Sequence, residues 1–396
     1  MQMEQTAVCI IGAGPAGATL SHFLNKSGID HWLIDKDQFP RDKVCGDGLT
    51  VDVLNVLKRI DPALRERFAA ESTMLPAWGF CFRAPNGREL RYDFRDDGFA
   101  YAPFYTARRL DLDDFLVRNL PSNRSGQYHF GTSLKKVTPQ SEGFQLTLEK
   151  DGEELQLQSR FLIGAEGEKP VVSRQLGLKH YRVKANLIAA LRVYYKGVKG
   201  FNPGNHLEFI FDSSLLPGYF WAFPLANGEA NVGLGMVSTA IARRKANLKK
   251  LLPEVTEKNP HVREMMTEAQ ALEKPQGWGL PTLTKARQIA GEGYALIGDA
   301  GGMIEPFTGK GIGTGMMSAR ICSEHLAEAL KGKNRDLGGY ETHMYEYYHS
   351  EIRAGYTLQK TLKYPPVLNL VLGASNLKPL KRWSHQKMVR EWHRWM

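Results

Sequence analysis

The chain has 396 residues, 42% of them hydrophobic, with 52 Lys and Arg against 42 Asp and Glu, a formal charge of +10; it can bury a sizeable core in two or three domains, under a surface that attracts anions. No apolar run reaches the roughly 20 residues needed to cross a bilayer, and the four cysteines, Cys9, Cys45, Cys81 and Cys322, match no metal-ligand spacing. Sparse cysteine use suits a reducing compartment, and Met1 to Thr6 lacks the basic start of a secretory signal, so the expected location is the cytoplasm, with the inner face of the membrane as a peripheral alternative.

The first predicted element is a buried strand ending at Ile11, which runs into Gly12-Ala13-Gly14-Pro15-Ala16-Gly17 and a helix over 18–26. In this pattern Gly12 permits the tight turn, Gly14 lets the backbone approach a diphosphate, and Gly17 lets the helix pack on the strand. The free N–H groups at the helix start, with Pro15 and Ala16 in its first turn, favour negative charge. A second strand, His31 to Ile34, ends in Asp35 and Lys36. A carboxylate at this spacing accepts from an adenosine ribose hydroxyl, so FAD or NAD is favoured over a 2′-phosphorylated nucleotide.

Further along, Lys43-Val44-Cys45-Gly46-Asp47-Gly48-Leu49 forms a Gly-rich turn, and 74–104 is strand-like around a hairpin turn at Pro85-Asn86-Gly87-Arg88. Tyr105 to Leu116 places Arg108 and Arg109 at the start of an apolar helix, and Arg160 to Gly167 reads as strand and turn. Strands are expected over 187–195, 207–211, 219–224 and 230–236, the last two joined by Ala226-Asn227-Gly228-Glu229, with helices over 243–252 and 256–272. Tyr294 to Ile297 is a short buried strand that delivers Gly298 and Asp299 to a second Gly-rich turn. Pro306, Gly309, Gly311, Ile312 and Gly313 then lead into a helix. A nucleotide held by two such distant segments is long, which points to FAD.

The second motif resembles the FAD fingerprint of the glutathione-reductase-like flavoproteins; the resemblance places Asp299 on the ribityl chain and the Pro306 to Gly313 loop beside the flavin pyrimidine edge. The Arg-Leu-Asp helix start resembles that of para-hydroxybenzoate-hydroxylase-like enzymes and implies Arg109, with Arg108 as fallback, as an FAD ligand. Gly164-Ala165-Glu166-Gly167 is similar to their Gly-Ala-Asp-Gly turn, but Glu166 replaces the aspartate, Pro170 stands for the usual serine and Arg174 is one place late, which argues against direct NADPH docking. The Cys45-Gly46 turn and Tyr219-Phe220-Trp221-Ala222-Phe223-Pro224 resemble two signatures of the geranylgeranyl-reductase-like flavoproteins.

The expected fold class is therefore α/β: a Rossmann-like FAD domain assembled from 1–75, 105–172 and 276–335, and an interleaved α+β substrate domain on a mixed or antiparallel sheet from 76–104 and 173–275. A helical appendage over 336–396 follows. The resemblance implies saturation of an isoprenoid double bond by reduced flavin, with NAD(P)H or a reduced ferredoxin or flavodoxin as electron donor. Cys45, Tyr219 and Trp221 are the candidate catalytic residues; the last two alternate on a strand and share one face. The alternative is a flavin monooxygenase or halogenase acting on an aromatic or carrier-bound substrate, although a halogenase has tryptophan where Tyr219 stands and isoleucine where Phe223 stands. No metal site and no nucleic-acid reading motif are expected. Trp383, Trp392 and Trp395 alternate with Lys381, Arg382, Lys387, Arg390 and Arg394, which fits either a segment contacting an anionic membrane or a terminal helix packing its tryptophans on the body.

Overall fold

The computed structural model describes residues 4–122, 125–169, 171–178, 187–282 and 286–395; Pro170 lies outside them. Five parallel strands form the centre of an eight-stranded sheet, in the order Tyr294–Leu296, Glu153–Gly164, Glu4–Ile11, His31–Asp35, Gly126–Phe130. His31–Asp35 is buried along its whole length, as a strand covered on both faces must be. Register brings Ile11 opposite both Ile34 and Gly164, and Gly164 opposite Leu296, so the carboxyl ends of four strands reach one edge together. Ligands of open parallel sheets bind beyond that edge, and the turns at Gly12, Gly164 and Gly298 start there.

The second sheet runs from Gln276–Pro281 and Gln270–Ala271, both paired to Leu187–Lys196, through Glu229–Val237, Gly218–Pro224, Leu207–Ile210 and Gly79–Arg83 to Glu89–Asp93. Its pairs are antiparallel except Leu207–Ile210 with Gly79–Arg83. Gln276–Pro281, which opens the last stretch expected for the FAD domain, joins this sheet by taking the ladder edge that Leu187–Lys196 offers. Both hairpins form at their expected turns, and Asn227 and Gly228 take the positive φ values that such a turn demands. The helix expected over 256–272 is instead Leu248–Lys258 and Pro260–Met265 followed by the strand Gln270–Ala271, because Pro260, preceded by an Asn259 side chain that caps Val262 N–H, starts a new helix.

Strand Gly218–Pro224 sends Phe220 and Ala222 into the core under these helices and Tyr219, Trp221 and Phe223 to the opposite face. On that face lie the C-terminal helices. The terminal helix, Lys378–Trp395, packs Trp392 on Phe94 and Phe104, bonds Ser384 to Tyr92 OH and His385 to Asp97, and stacks His393 on Phe99. Of the two expected environments for its tryptophans, the interior one holds for Trp392, while Trp383 stays exposed.

Candidate functional site

At the nucleotide end the space is set by backbone. Gly12 has φ +104, and a Cβ there would meet Ala165 O at 2.5 Å; a Cβ on Gly17 would stand 1.8 Å from Gly12 O. These glycines press the helix Pro15–Lys26 onto the strand ends, with Pro15 at its first position and no side chain capping its start. Ahead of Gly14 the nearest groups are the guanidinium ends of Arg109 and Arg41, each 3.6 Å from where its Cβ would be. A helix start without a side-chain cap, faced by two arginines, fits a diphosphate.

Arg109 is 4% exposed and makes a two-pronged pair with Asp113 at 2.6 Å, which also takes Arg41 at 2.8 Å. Burial works against the Arg109 charge, and the Asp113 carboxylate more than offsets it, holding the pKa above the usual arginine range. Arg108 points elsewhere: it pairs with Glu229 and lies 4.3 Å over the Tyr194 ring. Asp35 accepts from Ala13 N–H at 2.7 Å and Asp37 N–H at 3.0 Å, so it braces the glycine turn it follows. Lys36 turns outward to Asp37.

The second motif closes on the first through small residues. Gly298 has φ +59, and a Cβ there would press on Ala16 at 3.1 Å; Gly315 approaches the same pair. The helix Ile312–Lys331, which has Ile312 at its start and Gly311 as an N-cap without a side-chain bond, therefore packs beside the first helix. Gly311 lies against Asp299, whose carboxylate takes Lys43 at 3.5 Å, and Gly313 lies against Asp52 and Thr50. Glu166 holds its turn by accepting from Val172 N–H at 2.6 Å.

Between the two sheets sits the Cys45 turn. Asp47 is fully buried with φ +61, a conformation that aspartate tolerates better than most residues. One carboxylate oxygen accepts from Tyr194 OH at 2.7 Å and Asn231 Nδ2 at 2.8 Å; the other has no hydrogen-bond partner among the described residues. Burial raises the Asp47 pKa to about 7 against the pull of those two donors, Arg192 and Arg109. Asn231 also donates to Cys45 O and accepts from Trp221 Nε1, both at 2.8 Å. The Cys45 sulfur accepts from Asp47 N–H at 3.3 Å, and burial together with the Asp47 charge raises its thiol pKa. Gly46 lies against the rings of Trp221 and Phe223.

Beyond this turn lies a small, mostly apolar cavity of about 40 Å³. Tyr219, Trp221 and Phe211 come to it from the sheet, Pro306, Phe307 and Gly309 from the flavin loop, and Gln359 and Leu362 from the C-terminal end of the helix Gly338–Thr361 and just beyond it. Gly309 takes φ +75, and Tyr219 OH donates to Thr308 O, tying sheet to loop. The same helix clasps the loop along one face. Glu351 pairs with Lys310 at 2.5 Å, Gly355 lets Glu305 approach, and Gln359 donates to Pro306 O at 2.5 Å. Lys310 also pairs with Asp52 at 3.0 Å; burial opposes its charge, but the two carboxylates keep the ammonium well above its ordinary pKa.

The structure thus gathers Gly12, Gly14, Pro15, Ala16, Gly17, Asp35, Arg109, Gly298 and Asp299 at the strand ends and Cys45, Gly46, Tyr219 and Trp221 by the cavity, leaving Lys36 in solvent. Sequence reasoning missed Arg41, Lys43, Asp47, Tyr194, Asn231 and Glu305. Asp47 had one signal, an acid between two glycines beside Cys45, but its partners lie 147 and 184 residues away.

A doubly wound sheet with Gly-rich turns at its carboxyl edge, joined to a sheet that encloses an apolar cavity, defines an FAD-dependent oxidoreductase. The model of the FAD binding domain family matches residues 5–346, and the chain belongs to that family. It is 31% identical over 340 residues to the menaquinone reductase of Mycobacterium tuberculosis H37Rv, covering 82% of this chain and 78% of that one. It is 28% identical over 352 residues to digeranylgeranylglycerophospholipid reductase 1 of Methanothermobacter thermautotrophicus, covering 86% and 82%. The fold is shared with a geranylgeranyl bacteriochlorophyll reductase-like protein of Thermoplasma acidophilum (TM-score 0.81, 22% identity, 94% and 91% covered) and with the flavin-dependent halogenase CmlS (TM-score 0.73, 20% identity, 90% and 64% covered).

Proposed function

We propose that this protein saturates carbon–carbon double bonds in the prenyl chain of a lipid or quinone. The observation that carries the proposal is the cavity, whose lining is almost wholly apolar and aromatic, set against the Cys45 turn and the flavin loop. Such a wall suits a hydrocarbon chain, orients it by ring contacts and excludes water. Relatives named as menaquinone and digeranylgeranylglycerophospholipid reductases support the same substrate class.

Gly12, Gly14, Gly17, Asp35, Arg109 and Asp299 would hold the FAD, and the Arg41 guanidinium, 3.6 Å from where a Cβ on Gly14 would stand, supports a place for Arg41 beside them. When bound and reduced, FAD would supply hydride chemistry to one alkene carbon, and with a proton delivered to the other the double bond would become a single bond. The turn carries two groups whose pKa burial raises, the Cys45 thiol and the Asp47 carboxyl, the latter to about 7, so that it can both hold and release a proton near neutral pH. Asn231 fixes the turn and the Trp221 indole together, so the wall of the cavity and the proton-bearing turn are positioned as one unit. Electrons come from NAD(P)H or a reduced ferredoxin or flavodoxin, and the prenyl substrate is drawn from an anionic membrane surface.

The shared halogenase fold favours a second reading, oxygen-dependent chemistry on an aromatic or carrier-bound substrate. Against it, Tyr219 and Phe223 stand where a halogenase has tryptophan and isoleucine. Anaerobically reduced protein mixed with a geranylgeranyl lipid or a menaquinone distinguishes the two. Flavin reoxidation without oxygen, with product two mass units heavier per double bond, is the expected result; reoxidation only after oxygen is admitted assigns the second reading.

A further inference from the structure

Six of the eight large apolar side chains that stand exposed among the described residues fall in one C-terminal stretch: Leu358, Tyr364, Leu370, Leu377, Leu380 and Trp383, with Leu370 71% and Trp383 60% exposed. In helix Pro365–Ser375 the inner residues Leu368 and Leu372 are buried with the aromatic side chains of the substrate sheet, which leaves Leu370 facing out. Leu377, Leu380 and Trp383 follow at intervals of three and share a helical stripe. Soluble proteins rarely leave such a patch uncovered.

The charge of the same stretch is one-sided. Residues 355–396 carry eight Lys and Arg against one acid, Glu391. Lys363 lies 4.9 Å over the Tyr364 ring and Lys387 5.7 Å over Trp383, so ammonium groups flank the apolar tips. Leucine and tryptophan tips ringed by cations match the boundary between acyl chains and anionic headgroups. A second copy of this face would set eight cations against eight. Among the described residues no helix is long and apolar enough to cross a membrane, so the contact is with the surface of the bilayer. The stretch also begins at the cavity: Gln359 and Leu362 line it, and the exposed Tyr364 follows two residues later.

We propose that the C-terminal helical face built on Leu370, Leu377, Leu380 and Trp383 docks on an anionic bilayer and sets the mouth of the cavity at the membrane surface. The proposal deepens the prenyl reading given above while standing on separate observations. It also moves the contact from the tryptophan series of the terminal helix to Trp383 and the leucines before it, since Trp392 is committed to Phe94 and Phe104.

The test is sedimentation of the FAD-loaded full chain with phosphatidylglycerol–phosphatidylcholine vesicles and with phosphatidylcholine alone. Binding to the anionic vesicles, weakened at least about tenfold by the double variant L370E/W383E and separately by K378E/R382E, is expected, with FAD content unchanged because all four side chains are exposed. Wild-type protein that stays in the supernatant, or variants that sediment like wild type, overturn the proposal. So does a wild-type dimer in light scattering that L370E/W383E splits, which assigns the face to a second copy. Vesicle binding without prenyl-dependent flavin reoxidation keeps the docking face and removes the reductase reading; reoxidation in detergent without vesicle binding does the reverse.

Discussion

The two ends of the site are built from different materials. At the nucleotide end the shape is made by backbone: Gly12, Gly17, Gly298 and Gly315 bring two helix starts and four strand ends so close that a Cβ added at Gly12 or Gly17 would collide with backbone and one at Gly298 would press on Ala16. At the cavity end the shape is made by side chains: Tyr219, Trp221, Phe211 and Phe307 enclose space, and Gly235 on the neighbouring strand has no neighbour closer than 3.5 Å to an added Cβ. A backbone site has little tolerance and recognises a constant ligand part, the diphosphate. A side-chain site can be recut for different substrates, which is how one fold serves reductases and halogenases.

Gly17→Val should break this contrast most severely. Its Cβ would fall 1.8 Å from Gly12 O, and backbone cannot yield, so we expect no soluble flavin-bearing protein by absorbance of the purified fraction, whereas Gly235→Ala should keep full FAD content. Arg109→Leu leaves Asp113 buried with Arg41 alone; a loss of about 3 kcal/mol in chemical denaturation is expected, with weaker FAD retention, while Arg108→Leu should leave FAD binding intact. Trp221→Ala should cost about 3 kcal/mol yet retain FAD, and kcat/KM for a prenyl substrate should fall about 100-fold as the chain loses its wall.

Asp47→Asn tests the junction between the ends. The folded pKa of about 7 lies above the ordinary aspartate value of 3.8, so between these values the native state binds the extra proton. Stability should therefore fall as pH rises from 4 to 7 and level off above, by up to about 4 kcal/mol. Asp47→Asn should remove that slope, and subtracting its thermal-melting profile from that of wild type cancels the similar rise of Glu166, whose pKa burial also lifts to about 7. The smallest effect is expected for Lys36→Ala, within about 0.5 kcal/mol and with FAD content unchanged, because Lys36 meets only Asp37 in solvent.

What the sequence by itself determined was the nucleotide end. Glycine spacing, a strand before it and an acid after the next strand are local facts, since the diphosphate turn is made of consecutive residues whose backbone freedom is encoded at those positions. Period-2 alternation likewise put Tyr219 and Trp221 on one face in advance. Only the tertiary structure decided the rest. Arg41 reaches the glycine turn because Asp113, from another helix, draws it there. Asp47 gains its shifted pKa from burial among partners on two distant strands, and a buried carboxylate has no signature in its neighbours along the chain. The helix Gly338–Thr361, expected within an appendage, became a wall of the site because Glu351, Gly355 and Gln359 share one helical face and the flavin loop offered Lys310, Glu305 and Pro306 O to meet them. Such pairings depend on which surfaces meet after folding, and that is settled by packing of the whole chain rather than by any segment of it.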